Sequence, residues 1–192
     1  MLIVPQQELI SEARTIPMRR VWAMPAADTF DVAPIGGLVR WYLRDSQVSI
    51  DPFARNKRWA TYTHDLNPDT AADSHLEASE FLRSLQEQGV MADLVLFDPP
   101  YSPHQTKECY AGFGHSMKYE DDARHGWSKT RKLLNALLKP DGIAMSFGWD
   151  SIGVLGPLGR IVEMLTVCHG IGHNDTIVTV ERKITELQVG LF

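Results

Sequence analysis

The 192-residue sequence predicts an α/β fold, a doubly wound and mostly parallel sheet with a terminal antiparallel hairpin. Three observations carry this. Asp93-Leu94-Val95-Leu96-Phe97 is a nearly continuous apolar run, as in a strand covered on both faces. Apolar stripes at helical spacing alternate with short strand-like runs along the chain. Two late strand-like runs, 161–167 and 177–181, are joined by the short polar segment 169–175, which suits an antiparallel pair.

In chain order, residues 1–30 read as irregular, because Pro5, Pro17 and Pro25 break any helix. Ile35, Leu38, Val39 and Tyr42 fall on one helical face, which predicts a helix over 35–44. Val48-Ser49-Ile50 reads as a buried strand running into Asp51-Pro52-Phe53, and 59–63 as a second strand ending at His64-Asp65-Leu66. A short piece near 74–76 leads to Glu77, and 81–85 reads as helical. After the 93–97 strand, Pro99 and Pro100 end any ladder. Residues 102–127 are polar, rich in His and Gly, and without clear period. Ser128 can cap a helix whose stripe is Leu133, Leu134, Leu137 and Leu138, and Pro140-Asp141-Gly142 then turns the chain into a strand at 143–147. With no composition break, 1–192 reads as one domain, with 102–127 as an insertion or lid on the substrate side.

Asp51, Asp65, Glu77 and Asp98 each follow an apolar strand-like stretch. In doubly wound sheets ligands bind outside the carboxyl ends of the strands, so these acids mark the expected site. The net charge of -5 argues against a free-standing nucleic-acid binder, although a local basic patch is compatible with it. Cys109 and Cys168 have no paired spacing, so neither a disulfide framework nor a zinc site is expected. The seven histidines offer one i,i+4 pair, His169 and His173, in a glycine-rich loop rather than a helix, and no metal is expected. No membrane-length apolar run or leader pattern is evident, and a cytoplasmic protein is the expectation.

Asp98-Pro99-Pro100-Tyr101 carries the chemistry. An exocyclic base amine is a poor nucleophile, because its lone pair is delocalised into the ring. The Asp98 carboxylate and the Pro99 carbonyl can hold its two N–H groups and orient the nitrogen. The prolines fix the backbone and bring no competing N–H. Tyr101 can stack on a flat base, which is worth about 1–3 kcal/mol. The tetrapeptide resembles motif IV of the amino-methyltransferases. Together with Asp51-Pro52-Phe53-Ala54, His64-Asp65-Leu66-Asn67-Pro68, Glu77-Ala78-Ser79-Glu80-Phe81-Leu82, Leu138-Lys139-Pro140-Asp141-Gly142 and His173-Asn174-Asp175-Thr176, it makes the chain resemble the small phage and prophage-type DNA N6-adenine methyltransferases over roughly Phe30 to Lys183.

The resemblance implies a Rossmann-like methyltransferase fold, S-adenosylmethionine as methyl donor, and a nucleic-acid partner, DNA first, in the cytoplasm of a host cell if the chain is phage-encoded. It implies Asp98, Pro99, Pro100 and Tyr101 as the catalytic set. On the cofactor side it implies Asp51, Pro52 and Phe53 as the start of the loop under the methionine part, Asp65 with Leu66 at the ribose hydroxyls, and Glu77 with Ala78 at the adenine amine. Phe30 falls where the opposite cofactor wall would lie. Ser102, His104, Lys107, Tyr110 and Trp149 are the expected substrate contacts. Within 102–127 these are accompanied by Gln105, His115, Lys118, Tyr119, Arg124, His125 and Trp127, a mixture that suits either a nucleic-acid surface or a solvated lid. Arg14, Arg19 and Arg20 are expected on a solvated surface.

The chain departs from the family pattern after Ala54, where Arg55-Asn56-Lys57 replace the usual glycines. Glycine there lets backbone approach the cofactor. Its replacement predicts either weak cofactor binding or a methionine end held by the side chain of Arg55 or Asn56. Two other readings stand beside DNA adenine methylation: an RNA base amino-methyltransferase acting on adenine N6 or guanine N2, and a non-catalytic binding protein on a degenerate methyltransferase fold.

Overall fold

A strand with no polar residue beyond its second position sits at the centre of the molecule. This is β4 (Ala92–Phe97), and its side chains go alternately to opposite faces of the sheet. Val95 and Phe97 join one buried cluster, and Leu94 and Leu96 another. The computed structural model describes residues 15–112, 114 and 126–184. Among them the strands are β1 (Met18–Trp22), β2 (Ser49–Asp51), β3 (Tyr62–Thr63), β4, β5 (Leu138–Gly148), β6 (Gly159–Cys168) and β7 (Thr176–Lys183). The helices are α1 (Ala33–Arg44), α2 (Ala78–Glu87), α3 (Pro103–Ala111) and α4 (Ser128–Leu137). The strands form one sheet in the order β1-β6-β7-β5-β4-β2-β3.

Helices cover both faces. Ile35, Leu38 and Val39 of α1 pack with Leu94, Leu96, Met145, Phe147 and Val178 on one side. Phe81, Leu82 and Leu85 of α2 pack with Leu134 and Leu137 of α4 against Val95, Phe97 and Ala144 on the other. Every described strand pairing is parallel except those of β7, which runs antiparallel to both β5 and β6. The hairpin of β6 and β7 is the one the sequence predicts, joined through 169–175. Its antiparallel strand is not at the sheet edge, however. β7 lies inside, between β5 and β6, which is why Val178, Thr179 and Val180 are fully buried.

Four local expectations are corrected. Residues 18–22 are a strand rather than irregular chain: β1 pairs in parallel with β6, from Met18↔Met164 to Trp22↔Cys168. An edge strand tolerates the prolines on either side of it. Residues 103–111 form α3 despite their weak periodicity; Ser102 caps it, its hydroxyl accepting from the Gln105 N–H at 3.2 Å, and Pro103 stands in the first turn. Pro140-Asp141-Gly142 does not end the strand pairing. Leu138 already pairs with Ala92 before Ile143 pairs with Leu94, and Asp141 takes φ 61° in the bulge between. The 74–76 piece is reduced to a single bridge, His64↔Ser74. Residues 115–125, which include His115, Lys118, Tyr119, Arg124 and His125, lie outside the described residues, as does Arg14.

Candidate active site

The carboxyl ends of β2, β3 and β4 open onto a cavity of about 740 Å³. Of the sequence-predicted site residues, Pro52, Phe53, Asp65, Leu66, Glu77, Ala78, Asp98, Pro99, Pro100, Tyr101, Tyr110 and Trp149 line it. Five do not. Phe30 is buried below the wall, stacked on Trp59 at 5.7 Å and packed on Phe147, while its neighbour Thr29 reaches the cavity. Asp51 is buried in β2, where it accepts from the Phe53 N–H at 3.0 Å and so shapes the loop that follows. Ser102 is spent on the α3 cap. His104 is exposed on α3 beside Glu108, and Lys107 is exposed on the same helix.

The motif tetrapeptide is braced from three sides. The Tyr101 hydroxyl donates to Asp98 Oδ1 at 2.8 Å and lies 3.5 Å from Thr29 Oγ1. The Tyr101 backbone N–H donates to Gln105 Oε1 at 2.9 Å, tying the motif to the first turn of α3. The Trp127 indole N–H donates to the Pro100 carbonyl at 3.4 Å, and its ring meets Phe53 edge-on at 5.0 Å. Tyr101 and Trp149 face each other at 5.6 Å, tilted by 58°. The two rings are in contact, so a flat ligand would stack on an outer face of the pair and not between them.

Electrostatics follow from burial. Desolvation pushes the Asp98 carboxyl up from 3.8 to about 6, against the hydrogen bonds from Thr29 and Tyr101 that favour its ionised form. Burial, then the charge of Asp98, holds the Tyr101 phenol far above its usual range, so it stays a donor. Asp51 is also raised well above the usual carboxylate range, first by burial, with Asp98 and Asp65 adding to it.

The loops after β2 and β3 and the loop before α2 are tied together by side chains. Asp65 Oδ2 accepts from the Arg55 N–H at 3.1 Å and Oδ1 from the Asn67 N–H at 2.9 Å. His64 is buried, stacks on Phe81 at 4.7 Å, and sets Nδ1 against the Pro52 carbonyl at 2.9 Å and Nε2 against the Leu76 carbonyl at 2.5 Å. It therefore joins the loop after β2 to the loop before α2. Glu77 is the N-cap residue of α2 and its carbonyl accepts from Glu80 and Phe81.

The sequence does not single out Thr29, Glu108 or Cys109 as lining this cavity, whereas Gln105 and the loop residues Gly172, His173, Asn174 and Thr176, marked only as parts of larger segments, do line it. Ser102 followed by Pro103 is the cap signal that would have turned Gln105 inward. No comparable signal marks Thr29. The buried His169 sets Nδ1 against the Ala23 carbonyl at 2.9 Å and Nε2 against Thr176 Oγ1 at 3.0 Å, so it anchors the hairpin loop to the segment after β1.

No family model and no curated protein matches this sequence. Among solved structures, the chain is similar to the N-methyltransferase NodS from Bradyrhizobium japonicum WM9, with a TM-score of 0.50 and 10% identity, over 83% of this chain and 99% of that one. NSun6 from Pyrococcus horikoshii is also similar, with a TM-score of 0.47 and 11% identity; 76% of this chain matches, and it spans 50% of that protein. The fold, an α/β sheet with one inserted antiparallel strand, is the Rossmann-like fold of methyltransferases.

Proposed function

We propose that this chain transfers a methyl group from S-adenosylmethionine to the exocyclic N6 amine of adenine in DNA. The observation that carries the reading is the seating of Asp98-Pro99-Pro100-Tyr101 in the cavity wall at the end of β4: a desolvated carboxylate beside the contacting rings of Tyr101 and Trp149. The resemblance to phage-type adenine methyltransferases supports DNA and adenine, and the shared fold with an N-methyltransferase supports the reaction class by analogy.

The lining fits a nucleoside sulfonium. Asp65 at the end of β3 can accept from both ribose hydroxyls, since each carboxylate oxygen has lone pairs beyond those taken by the Arg55 and Asn67 N–H groups. Glu77, Pro52 and Phe53 also line the cavity, and the resemblance assigns Glu77 to the adenine amine and Pro52 with Phe53 to the methionine part. When bound, such a donor supplies an electrophilic methyl group. Asp98 would accept one N–H of the target amine and the Pro99 carbonyl the other, with the base stacked on the aromatic surface that Tyr101 and Trp149 form together. Transfer of the methyl group from the sulfonium to the nitrogen would leave S-adenosylhomocysteine and one surplus amine proton, which the Asp98 carboxylate, raised to about 6, is suited to take and return to water. A duplex substrate must present its adenine flipped out of the stack.

Incubation with methyl-labelled S-adenosylmethionine and matched DNA and RNA oligonucleotides, followed by nucleoside mass spectrometry, tests this. N6-methyladenine in DNA is expected. Label in RNA alone, or in neither, overturns it.

A further inference from the structure

The cavity is acidic. Asp65, Glu77, Asp98 and Glu108 line it, and Arg55 is the one arginine or lysine among its described lining residues. Arg55 also occupies an unusual backbone position. It takes φ 51°, in the left-handed region that glycine favours, directly after Ala54. The chain has therefore kept the turn that a glycine would make and has placed a cation there. The turn is held by the Arg55 N–H donating to Asp65 at 3.1 Å. The guanidinium donates Nη1 to the Ala27 carbonyl at 2.5 Å, which engages one of its five N–H donors. It lies close enough to Asp98 and Cys109 to favour their charged forms. Asn56 is not part of this arrangement: its Oδ1 accepts from the Ala71 N–H at 3.0 Å and it does not line the cavity.

We propose that Arg55 is the anion subsite of this cavity and binds the α-carboxylate of the methyl donor's methionine tail. The assignment rests on the methyl-donor reading above and specifies how the tail is held. Among the acidic and basic side chains that line the cavity, four repel an entering carboxylate and the Arg55 guanidinium attracts it. A planar fork can engage it with two parallel bonds, which backbone N–H groups of a glycine loop would otherwise supply singly. Arg55 belongs to the donor side, because its backbone N–H is fastened to Asp65 and its side chain to the Ala27 carbonyl, and it follows Pro52-Phe53-Ala54 in the chain.

Calorimetry with S-adenosylhomocysteine and its decarboxylated analogue, on the wild-type chain and on Arg55→Gly, tests the assignment. Glycine is favoured at φ 51°, so the substitution leaves the turn intact. The wild type is expected to prefer the carboxylate-bearing ligand at least tenfold. Arg55→Gly is expected to lose most of that preference while binding the decarboxylated analogue within about threefold of wild type, and Arg55→Lys to keep part of it. An Arg55→Gly variant that discriminates as wild type does overturns the assignment. So does one that keeps its discrimination but binds a short oligonucleotide more weakly, since Arg55 would then serve a phosphate. Failure of both nucleosides to bind the wild type removes the methyl-donor reading itself, and the subsite with it.

Discussion

Replacing Asp98 by asparagine should make the protein more stable at neutral pH and much less active. The carboxyl lies at the cavity wall with its ordinary 3.8 raised to about 6, chiefly by burial. A raised acid binds its proton more tightly in the folded chain than in the unfolded one. Between pH 3.8 and about 6 the unfolded state loses the proton first, so stability falls as pH rises, and above about 6 the whole penalty is present. A difference of about two pH units corresponds to roughly 3 kcal/mol at 1.36 kcal/mol per unit, and the partial opening of Asp98 to the cavity trims this to about 1–3 kcal/mol. Asparagine is isosteric and keeps an oxygen for the Tyr101 hydroxyl, which now donates to Asp98 at 2.8 Å. Urea unfolding of both chains from pH 4 to pH 8 measures the effect. The stability advantage of Asp98→Asn should be near zero at pH 4, grow to pH 6.5 and then level off. Methyl transfer should fall about a hundredfold, the loss typical of one preorganised polar contact at a reacting centre. A variant that is no more stable at pH 7, or whose advantage is constant across the range, would refute the claim that burial of this carboxylate is a cost retained for function.

Three further outcomes are expected. Tyr101→Phe removes a hydrogen bond that favours the ionised Asp98, so the acid limb of the kcat/KM profile should move above pH 6 and turnover fall about tenfold; an unmoved limb would separate Tyr101 from Asp98 function. Gly153→Ala places a Cβ 2.4 Å from Glu181 Oε2 at φ 74°, where Glu181 accepts from the Val154 and Leu155 N–H groups; about 2–4 kcal/mol should be lost, read as a thermal midpoint several degrees lower. His64→Phe keeps the stacking shape over Phe81 but removes the one ring N–H that a neutral His64 gives to the Pro52 or the Leu76 carbonyl; about 1–3 kcal/mol of stability should go, and S-adenosylmethionine affinity should fall with it, because both loops face the cavity.

The sheet and its ends were legible because burial writes itself into the sequence. Leu94, Leu96, Val95 and Phe97 face two different cores, and only an apolar run can do that. The acids at strand ends were legible for the complementary reason, since nothing in a core requires them there. What escaped were elements whose stabilisation comes from elsewhere. β1 owes its conformation to the β6 edge and offers burial only at Val21, so its residues carry no apolar alternation. α3 owes its position to the Ser102 cap and to Tyr110 and Thr106, and shows no stripe. The connection from β2 to β3 has no helix at all, although parallel crossovers usually contain one, so it carries no periodicity to detect. Phe30 and Asp51 were placed at the site by resemblance and sit one layer beneath it, where they support Thr29 and the Phe53 turn.

The departures from local rules converge on one end of the sheet, and that convergence is itself an argument. Among the described residues three non-glycine positions take left-handed backbone, Arg55, Trp127 and Asp141, and two of them line the cavity. Such positions cost on the order of 1–3 kcal/mol each and persist only where the surroundings hold them. Arg55 is held by Asp65 and Ala27, and Trp127 by Pro100 and Phe53. The raised Asp51 and Asp98 carboxyls add an electrostatic cost at the same strand ends. Asp141 marks the contrast: its positive φ serves a bulge at the far end of β5, near neither acid. A fold stabilised for its own sake would place glycine at 55 and a neutral amide at 98. Each of those changes should raise stability while removing a charge from the cavity, so measuring stability and methyl transfer together on Arg55→Gly and Asp98→Asn distinguishes a working site from an inherited shape. If both variants gain stability and neither loses binding or transfer, the charges are remnants; if the gains come with losses, the chain maintains them against its own stability.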